Sequence, residues 1–282
     1  MKKTATIIVT YNGEKWIRRC LDTVFASSYH TDVYVVDNAS NDRTISLIQN
    51  LPIKLQMLAS NEGFGYANNI ALRELQHSDY DYFFLINQDV YLEEKVLERL
   101  VTFAQDHPEM GIVAPIQFDG NGNEIDSNFQ QYINHSEDHG DFYKTGFCNA
   151  AAWLITKECL QKVGIFNPLF HHYGEDRNYC ERVKFHNFEI AIVKEAKVLH
   201  DRAQKMTARK AVKLAKIKLL TIFLDPNKSQ SESLISGLIN VFGISKYLFR
   251  KHNSFAFFIL LSEYISLFKK RRILEAEKNR QK

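Results

Sequence analysis

The sequence predicts an α/β fold, with a mostly parallel central sheet over residues 1–204 and a helical extension over 205–282. Three observations predict this. Short apolar, β-branched runs alternate with segments of helical spacing through the first hundred residues, the pattern of a parallel sheet with right-handed crossovers. Each run ends in a polar cluster: Thr10–Asn12, Asp37–Ser40, Asn61–Gly65 and Asn87–Asp89. In a parallel sheet those clusters share one edge, which is where open α/β sheets bind ligands. The sign of the charge then changes near residue 201, which marks off a second part.

The elements follow in order. Ala5–Thr10 is a β-branched first strand, broken by the turn residues Tyr11, Asn12 and Gly13. Glu14–Ala26 has helical spacing and offers Trp16, Ile17, Leu21, Val24 and Phe25 to one face. Val33–Val36 is the second strand, Thr44–Asn50 a helix and Lys54–Leu58 the third strand. Tyr66–Gln76 is a helix after the loop Asn61–Gly65. The run Phe83–Val90 carries a lone carboxylate, Asp89, at or just past the end of a strand buried on both faces. A helix over Leu92–Gln105 would give Asp89 a plain role as its N-cap. The alternative is a metal ligand for a phosphate-bearing substrate.

Gly111–Pro115 is a further strand, and residues 119–123 form a turn-rich tip. The tip is a poor calcium loop, because Gln130 stands where a bidentate Glu is needed. His135 and His139 stand four apart without an evident third zinc ligand. Gly146–Leu154 is small and apolar, and Lys157–Val163 reads as a helix ended by Gly164. Glu175 and Asp176 open a helix over Arg177–Phe185. Acidic residues there suit the helix dipole. Adjacent carboxylates behind aromatic residues can equally carry raised pKa values and act as a base. Ile190–Val193 and Lys197–Leu199 read as two short strands, with His200 at the end of the second.

Composition narrows the function classes. Hydrophobic residues make up 45% of the 282, ample for a packed core. Cys20, Cys148, Cys159 and Cys180 form no C-x-x-C pair and read as buried thiols in a reducing compartment. No apolar leader and no run of 18 uncharged apolar residues is present, so neither a signal segment nor a transmembrane helix is expected. Residues 1–201 carry a net charge of −10, unlike a nucleic-acid-binding domain, and residues 202–282 carry +13. Neither G-x-G-x-x-G nor G-x-x-x-x-G-K-[ST] occurs, which argues against the usual dinucleotide and P-loop sites. Asp37, at the end of the second strand, can still accept hydrogen bonds from a ribose or base.

The motifs in sequence order resemble an inverting family 2 glycosyltransferase. They are Val9-Thr10-Tyr11-Asn12-Gly13, Val36 to Asp42, Asn61 to Asn69, Leu85-Ile86-Asn87-Gln88-Asp89-Val90, Gly164 to Asn167, Tyr173-Gly174-Glu175-Asp176 and Val198-Leu199-His200. The similarity covers residues 4–201 and leans toward the rhamnosyltransferase-like branch that builds bacterial surface polysaccharides. It implies a GT-A, Rossmann-like nucleotide-sugar-binding domain. Thr10, Tyr11 and Asn12 would line the base, with Asp37 and Asn38 on base and ribose. Asn61, Gly63, Phe64 and Asn69 would shape the nucleotide and diphosphate pocket. Asn87-Gln88-Asp89 takes the place of the family's Asp-x-Asp, with Asn87 for the first carboxylate. Asp89 and His200 would hold Mg²⁺ or Mn²⁺ on the diphosphate. Asp176 would be the general base, with Glu175 as the alternative. One base and one metal imply a single displacement with inversion. The donor would be dTDP-rhamnose or a UDP-hexose, and the acceptor a glycan or lipid-linked saccharide.

The basic extension begins with an amphipathic helix over residues 205–224, whose polar face holds Lys205, Arg209, Lys210, Lys213, Lys216 and Lys218. Apolar stretches follow at Leu234–Phe249 and Phe255–Leu261, then a basic cluster at Lys269–Arg272. Such a segment is expected to contact an anionic membrane surface, where polyprenyl-linked acceptors reside. That would place the protein in the cytoplasm, peripheral on the inner face of the cell membrane. A homodimer contact is the alternative, and nucleic acid is not expected as a partner. Two other functions are open. A nucleotidyltransferase would need a glycine- and lysine-rich N-terminal loop, which is missing. A degenerate nucleotide-sugar-binding scaffold is kept open by Asn87.

Overall fold

The computed structural model describes residues 2–201, 207–252 and 255–282. Its centre is a ten-stranded mixed sheet. The first half alternates strand and helix: β1 (Thr4–Thr10), α1 (Ile17–Phe25), β2 (Asp32–Asp37), α2 (Thr44–Ile48), β3 (Lys54–Met57), α3 (Phe64–Leu75) and β4 (Tyr82–Asn87). These strands run parallel in the order β3-β2-β1-β4, so their polar ends do share one edge.

Beyond β4 the chain mixes directions. It forms β5 (Val90–Leu92), α4 (Val96–Asp106), β6 (Met110–Asp119), α5 (Ser127–Ile133), β7 (Glu137–Asp138), β8 (Phe142–Lys144), β9 (Ala152–Thr156), α6 (Lys157–Val163), α7 (Glu175–Phe185) and β10 (Glu189–His200). β9 inserts antiparallel between β4 and β6, while β6 and β10 pair in parallel. Among the described residues the extension has four helices: α8 (Ala208–Phe223), α9 (Gln230–His252), α10 (Phe257–Lys269) and α11 (Arg271–Arg280).

The central strands separate two cores, which is why their sequences read as unbroken apolar runs. Ile8, Phe84 and Leu154 face α1 and α4, among Ile17, Leu21 and Leu100. Ile7, Phe83 and Trp153 face the other side, with Leu72 of α3, Leu160 of α6 and Tyr179 of α7. A third core joins α8–α11 and includes Phe170 from the loop before α7. A Cβ on Gly174 would lie 2.5 Å from Ile217 of α8, so that helix packs directly on the backbone preceding Glu175.

Several expectations change in detail. Leu92 ends a short strand, Val90–Leu92, instead of starting a helix, because that strand pairs antiparallel with Val198–His200. The following helix therefore begins at Val96 with Lys95 as its N-cap, and Asp89 is not a helix cap. Residues 190–199 form one continuous strand with a bulge between Val193 and Lys197, instead of two strands. Phe25 is exposed, and Cys20 takes the inward position on α1. His135 and His139 do not share a helix, since α5 ends at Ile133. Lys205 lies outside the described residues, as does the boundary at 204/205.

Candidate active site

The loops after β1, β2 and β3 are tied together at the sheet's carboxyl edge. Asn12 adopts a left-handed backbone, φ 47°, and its N–H donates to Ser40 Oγ at 2.9 Å. Its Oδ1 accepts from the Asn41 N–H at 2.9 Å. Asp37 is buried, and its two carboxylate oxygens accept from the Ser40 N–H at 2.9 Å and from Ser40 Oγ at 2.5 Å. Short Asn, Asp and Ser side chains suit such turns because they bond backbone one to three residues away.

Asn38 crosses to the next loop. Its Nδ2 donates to Asn61 Oδ1 at 3.0 Å, and its Oδ1 accepts from the Glu62 N–H at 2.8 Å. Asn61 Oδ1 also accepts from the Gly63 N–H. Gly63 caps α3 with φ 89°, and a Cβ there would collide with the His171 carbonyl oxygen. Gly63→Ala is therefore expected to lower stability by about 2–3 kcal/mol, from left-handed strain plus the clash. A denaturant midpoint unchanged from wild type would refute this account of the loop.

Thr10 and Tyr11 are fixed by Gln88. Gln88 Oε1 accepts from Thr10 Oγ1 at 2.6 Å and from the Tyr11 N–H at 3.0 Å, while its Nε2 donates to the Tyr11 carbonyl at 3.2 Å. The Tyr11 ring stays exposed. Phe64 packs edge-on against Phe166, centroids 6.0 Å apart. Asn69 is placed differently from the edge residues. It is buried on α3, with both amide groups on the Phe166 backbone at 2.8 Å, so it anchors the 166 loop.

Asp89 lies in the turn between β4 and β5, and its Oδ1 is 3.4 Å from Nε2 of the buried His200. The Asp89 carbonyl accepts from the Asp201 N–H at 2.9 Å, which locks the two strand ends together. The other ring nitrogen, Nδ1, is 3.1 Å from Gln117 Oε1. Gln117 is fully buried in β6, and its Nε2 donates to Asn149 Oδ1 at 2.8 Å. The contact at Nδ1 fixes the ring with Nε2 turned toward Asp89. A carboxylate oxygen and an imidazole nitrogen then face one another, a donor pair suited to a divalent cation. Among the described residues no three His, Cys, Asp or Glu groups gather at one metal-sized site. One or two carboxylates together with substrate phosphate is a usual set for Mg²⁺, and the imidazole of His200 favours Mn²⁺.

Glu175 and Asp176 start α7 beside the same edge. Asp176 accepts from the Ala150 backbone N–H, and the neighbouring Ala151 carbonyl accepts from the Asn87 N–H at 2.9 Å. This places Asp176 close to the end of β4, from which Asp89 emerges. Asp176 is half-buried, and burial raises its pKa above the ordinary aspartate value. Glu175 is buried, and its Oε2 has no hydrogen-bond partner among the described residues. Burial, then the Asp176 charge, pushes its pKa up to about 8. α7 itself is clamped by the buried Arg182, which donates to the Val163 and Ile165 carbonyls at 2.7 Å.

The structure thus brings Thr10, Tyr11, Asn12, Asp37, Asn38, Asn61, Gly63, Asn87, Gln88, Asp89, His200 and Asp176 to one edge of the sheet. Gln117 and Asn149 escape a motif-based reading. The signal for Gln117 was a single amide between Ile116 and Phe118 in an otherwise apolar strand.

Comparison with known proteins gives the family and the fold. The family model described as glycosyl transferase family 2 matches residues 5–164. Two curated relatives, the poly(ribitol-phosphate) beta-N-acetylglucosaminyltransferases TarS of Staphylococcus aureus strains Mu50 / ATCC 700699 and MW2, are 27% identical over 115 residues. That match covers 38% of this chain and 20% of each relative, so the chain spans about a fifth of the length of the curated relatives it matches. Among solved structures, S. aureus TarS 1–349 in complex with UDP superposes with a TM-score of 0.63 at 15% identity, over 99% of this chain and 88% of that one. The mannosyltransferase PcManGT from Pyrobaculum calidifontis, in complex with GDP-Man and Mn²⁺, gives 0.64 at 15% identity, over 99% and 84%. GalNAc-T7 with UDP, GalNAc and Mn²⁺ gives 0.61 at 13% identity, over 96% and 58%. At these identities the superpositions show a shared fold, which is GT-A.

Proposed function

The chain belongs to glycosyl transferase family 2, and we propose that it moves a sugar from a nucleotide-diphosphate donor to a hydroxyl of a glycan or lipid-linked saccharide, with inversion. The observation that carries the reading is the convergence of the Asp89–His200 pair and Asp176 on the end of β4. The poly(ribitol-phosphate) N-acetylglucosaminyltransferase activity named for the curated relatives favours a role in cell-surface polymer synthesis. UDP and GDP-Man in related folds join dTDP-rhamnose as donor classes to test.

Residues 1–204 are the catalytic part in this reading. The loops carrying Thr10, Tyr11, Asn12, Asp37, Asn38, Asn61, Gly63 and Phe64 receive the nucleotide, with Asn87 and Gln88 beneath it. Asn69 acts through the loop it anchors. Asp89 and His200 would hold Mg²⁺ or Mn²⁺, which when bound would offset the charge of the departing nucleoside diphosphate. Asp176 takes the proton of the acceptor hydroxyl as that oxygen bonds to the anomeric carbon and the bond to diphosphate breaks. A single displacement of this kind inverts the anomeric centre. Residues 205–282 place the enzyme at the inner face of the cell membrane, close to lipid-linked acceptors.

A thermal-shift panel of UDP, GDP and dTDP with Mn²⁺, Mg²⁺ or EDTA tests the donor side. A shift for one nucleotide that requires metal is expected, and no shift for any of them would count against the reading. Gln117→Leu removes the acceptor that orients His200 and is expected to weaken Mn²⁺ binding about 10- to 100-fold. Calorimetric titration of Mn²⁺ in the presence of the preferred nucleotide checks this. Equal affinities would mean that the ring needs no such support.

A further inference from the structure

We propose that the outer face of α9 and the α9–α10 corner form a docking surface for an anionic lipid bilayer. The inference gives the membrane contact of the proposed function a defined surface and rests on that part of the reading, but it does not depend on which donor is used. On α9, Ile235, Leu238, Ile239, Phe242 and Phe249 are all exposed, and their spacing puts them in one stripe along the helix. Opposite them, Val241 and Leu248 are buried in the extension's own core. The stripe continues across the corner. Phe242 and Phe257 have ring centroids 5.3 Å apart, and Phe249 and Phe255 4.9 Å. Phe255 and Phe258 are each 80% exposed.

Isolated apolar side chains on a surface need no explanation, but a contiguous patch marks a contact site. Among the described residues no helix is long and apolar enough to cross a membrane. The patch therefore suits a helix lying in the interface, with its apolar side in the acyl boundary.

The charges around the patch select the occupant. Lys246, Arg250 and Lys251 line one shallow cleft with Gly243 and Tyr247, at the end of α9 that carries Phe249. None of the three cations makes an ion pair among the described residues. Residues 202–282 hold 18 Lys and Arg against 5 Asp and Glu. A second copy related by a two-fold axis would set this cationic rim against itself. Lipid phosphates would neutralise it, while the aromatic rings enter the headgroup boundary.

The test is co-sedimentation of the full chain with phosphatidylcholine vesicles, with and without about one third phosphatidylglycerol. Binding is expected only to the anionic vesicles and is expected to weaken in high salt. Phe255→Ser combined with Phe258→Ser should lower the partition coefficient at least about tenfold. A triple change of Lys246, Arg250 and Lys251 to Gln should do the same without touching the apolar patch. The nucleotide-induced thermal shift should persist in both variants, which separates this proposal from the catalytic one. Equal binding to neutral vesicles, or unchanged binding of both variants, would overturn it. So would a dimer in light scattering that the Phe255/Phe258 variant dissociates, because the face would then belong to a second copy.

Discussion

Asp89→Ala is expected to abolish the metal-dependent part of nucleotide-diphosphate binding and to cut sugar transfer by about a thousandfold or more. The magnitude follows from the charge concerned. A divalent ion on a departing diphosphate contributes several kcal/mol, and each 1.4 kcal/mol is about a factor of ten in rate. Asp89 brings the carboxylate of that pair and His200 an imidazole nitrogen, so His200→Ala should cost less. The substitution should leave the fold intact. The side chain faces His200, whereas the strand-end lock uses the Asp89 backbone carbonyl, which alanine keeps. The measurements are a thermal-shift titration with Mn²⁺ and donor turnover at saturating metal. Retention of Mn²⁺-dependent nucleotide binding in Asp89→Ala would remove this residue from the metal site. Full metal independence in the wild type would remove the metal from the mechanism.

How much was legible beforehand depended on the distance over which each signal acts. The parallel half of the sheet was readable because strands buried on both faces write continuous apolar runs, as at Ile7–Val9 and Phe83–Ile86. The helix Lys157–Val163 and its glycine stop followed from local capping alone. The short strand Val90–Leu92 did not, because its identity depends on pairing with Val198–His200, more than a hundred residues away. Local propensity began the helix at Leu92, and the tertiary partner kept that residue in a strand. The same limit hid the support of His200. Gln117 is unremarkable until β6 and β10 lie side by side and turn its amide toward the ring. The motif residues were visible as types, but their division of labour was not. Asn69 belongs to an Asn-rich stretch that looks ligand-facing, yet both its amide groups are spent on the Phe166 backbone.

The second large effect concerns the two carboxylates of α7, which the sequence left unresolved. Asp176→Asn is expected to reduce transfer by about 10²–10⁴-fold while leaving nucleotide binding unchanged, the loss typical of a missing general base. Glu175→Gln is expected to keep activity at pH 7 within about threefold. The difference lies in their surroundings. With its pKa near 8, Glu175 is protonated at neutral pH, and glutamine imitates that neutral form. Asp176 keeps the Ala150 N–H on its carboxylate and carries the charge of the pair. Activity should rise with pH as Asp176 loses its proton, at a pH above the ordinary aspartate range because burial raises its pKa. The stability readout is independent. The folded-state pKa of Glu175 lies above its unfolded value, so its contribution to stability is full below about 4.5 and is lost as pH rises through about 8. Glu175→Gln has no such loss, so its melting temperature should gain on wild type between pH 5 and pH 8.5. If Glu175→Gln is inactive and Asp176→Asn active, the roles are exchanged. If both variants turn over normally, the base lies elsewhere on the sheet edge.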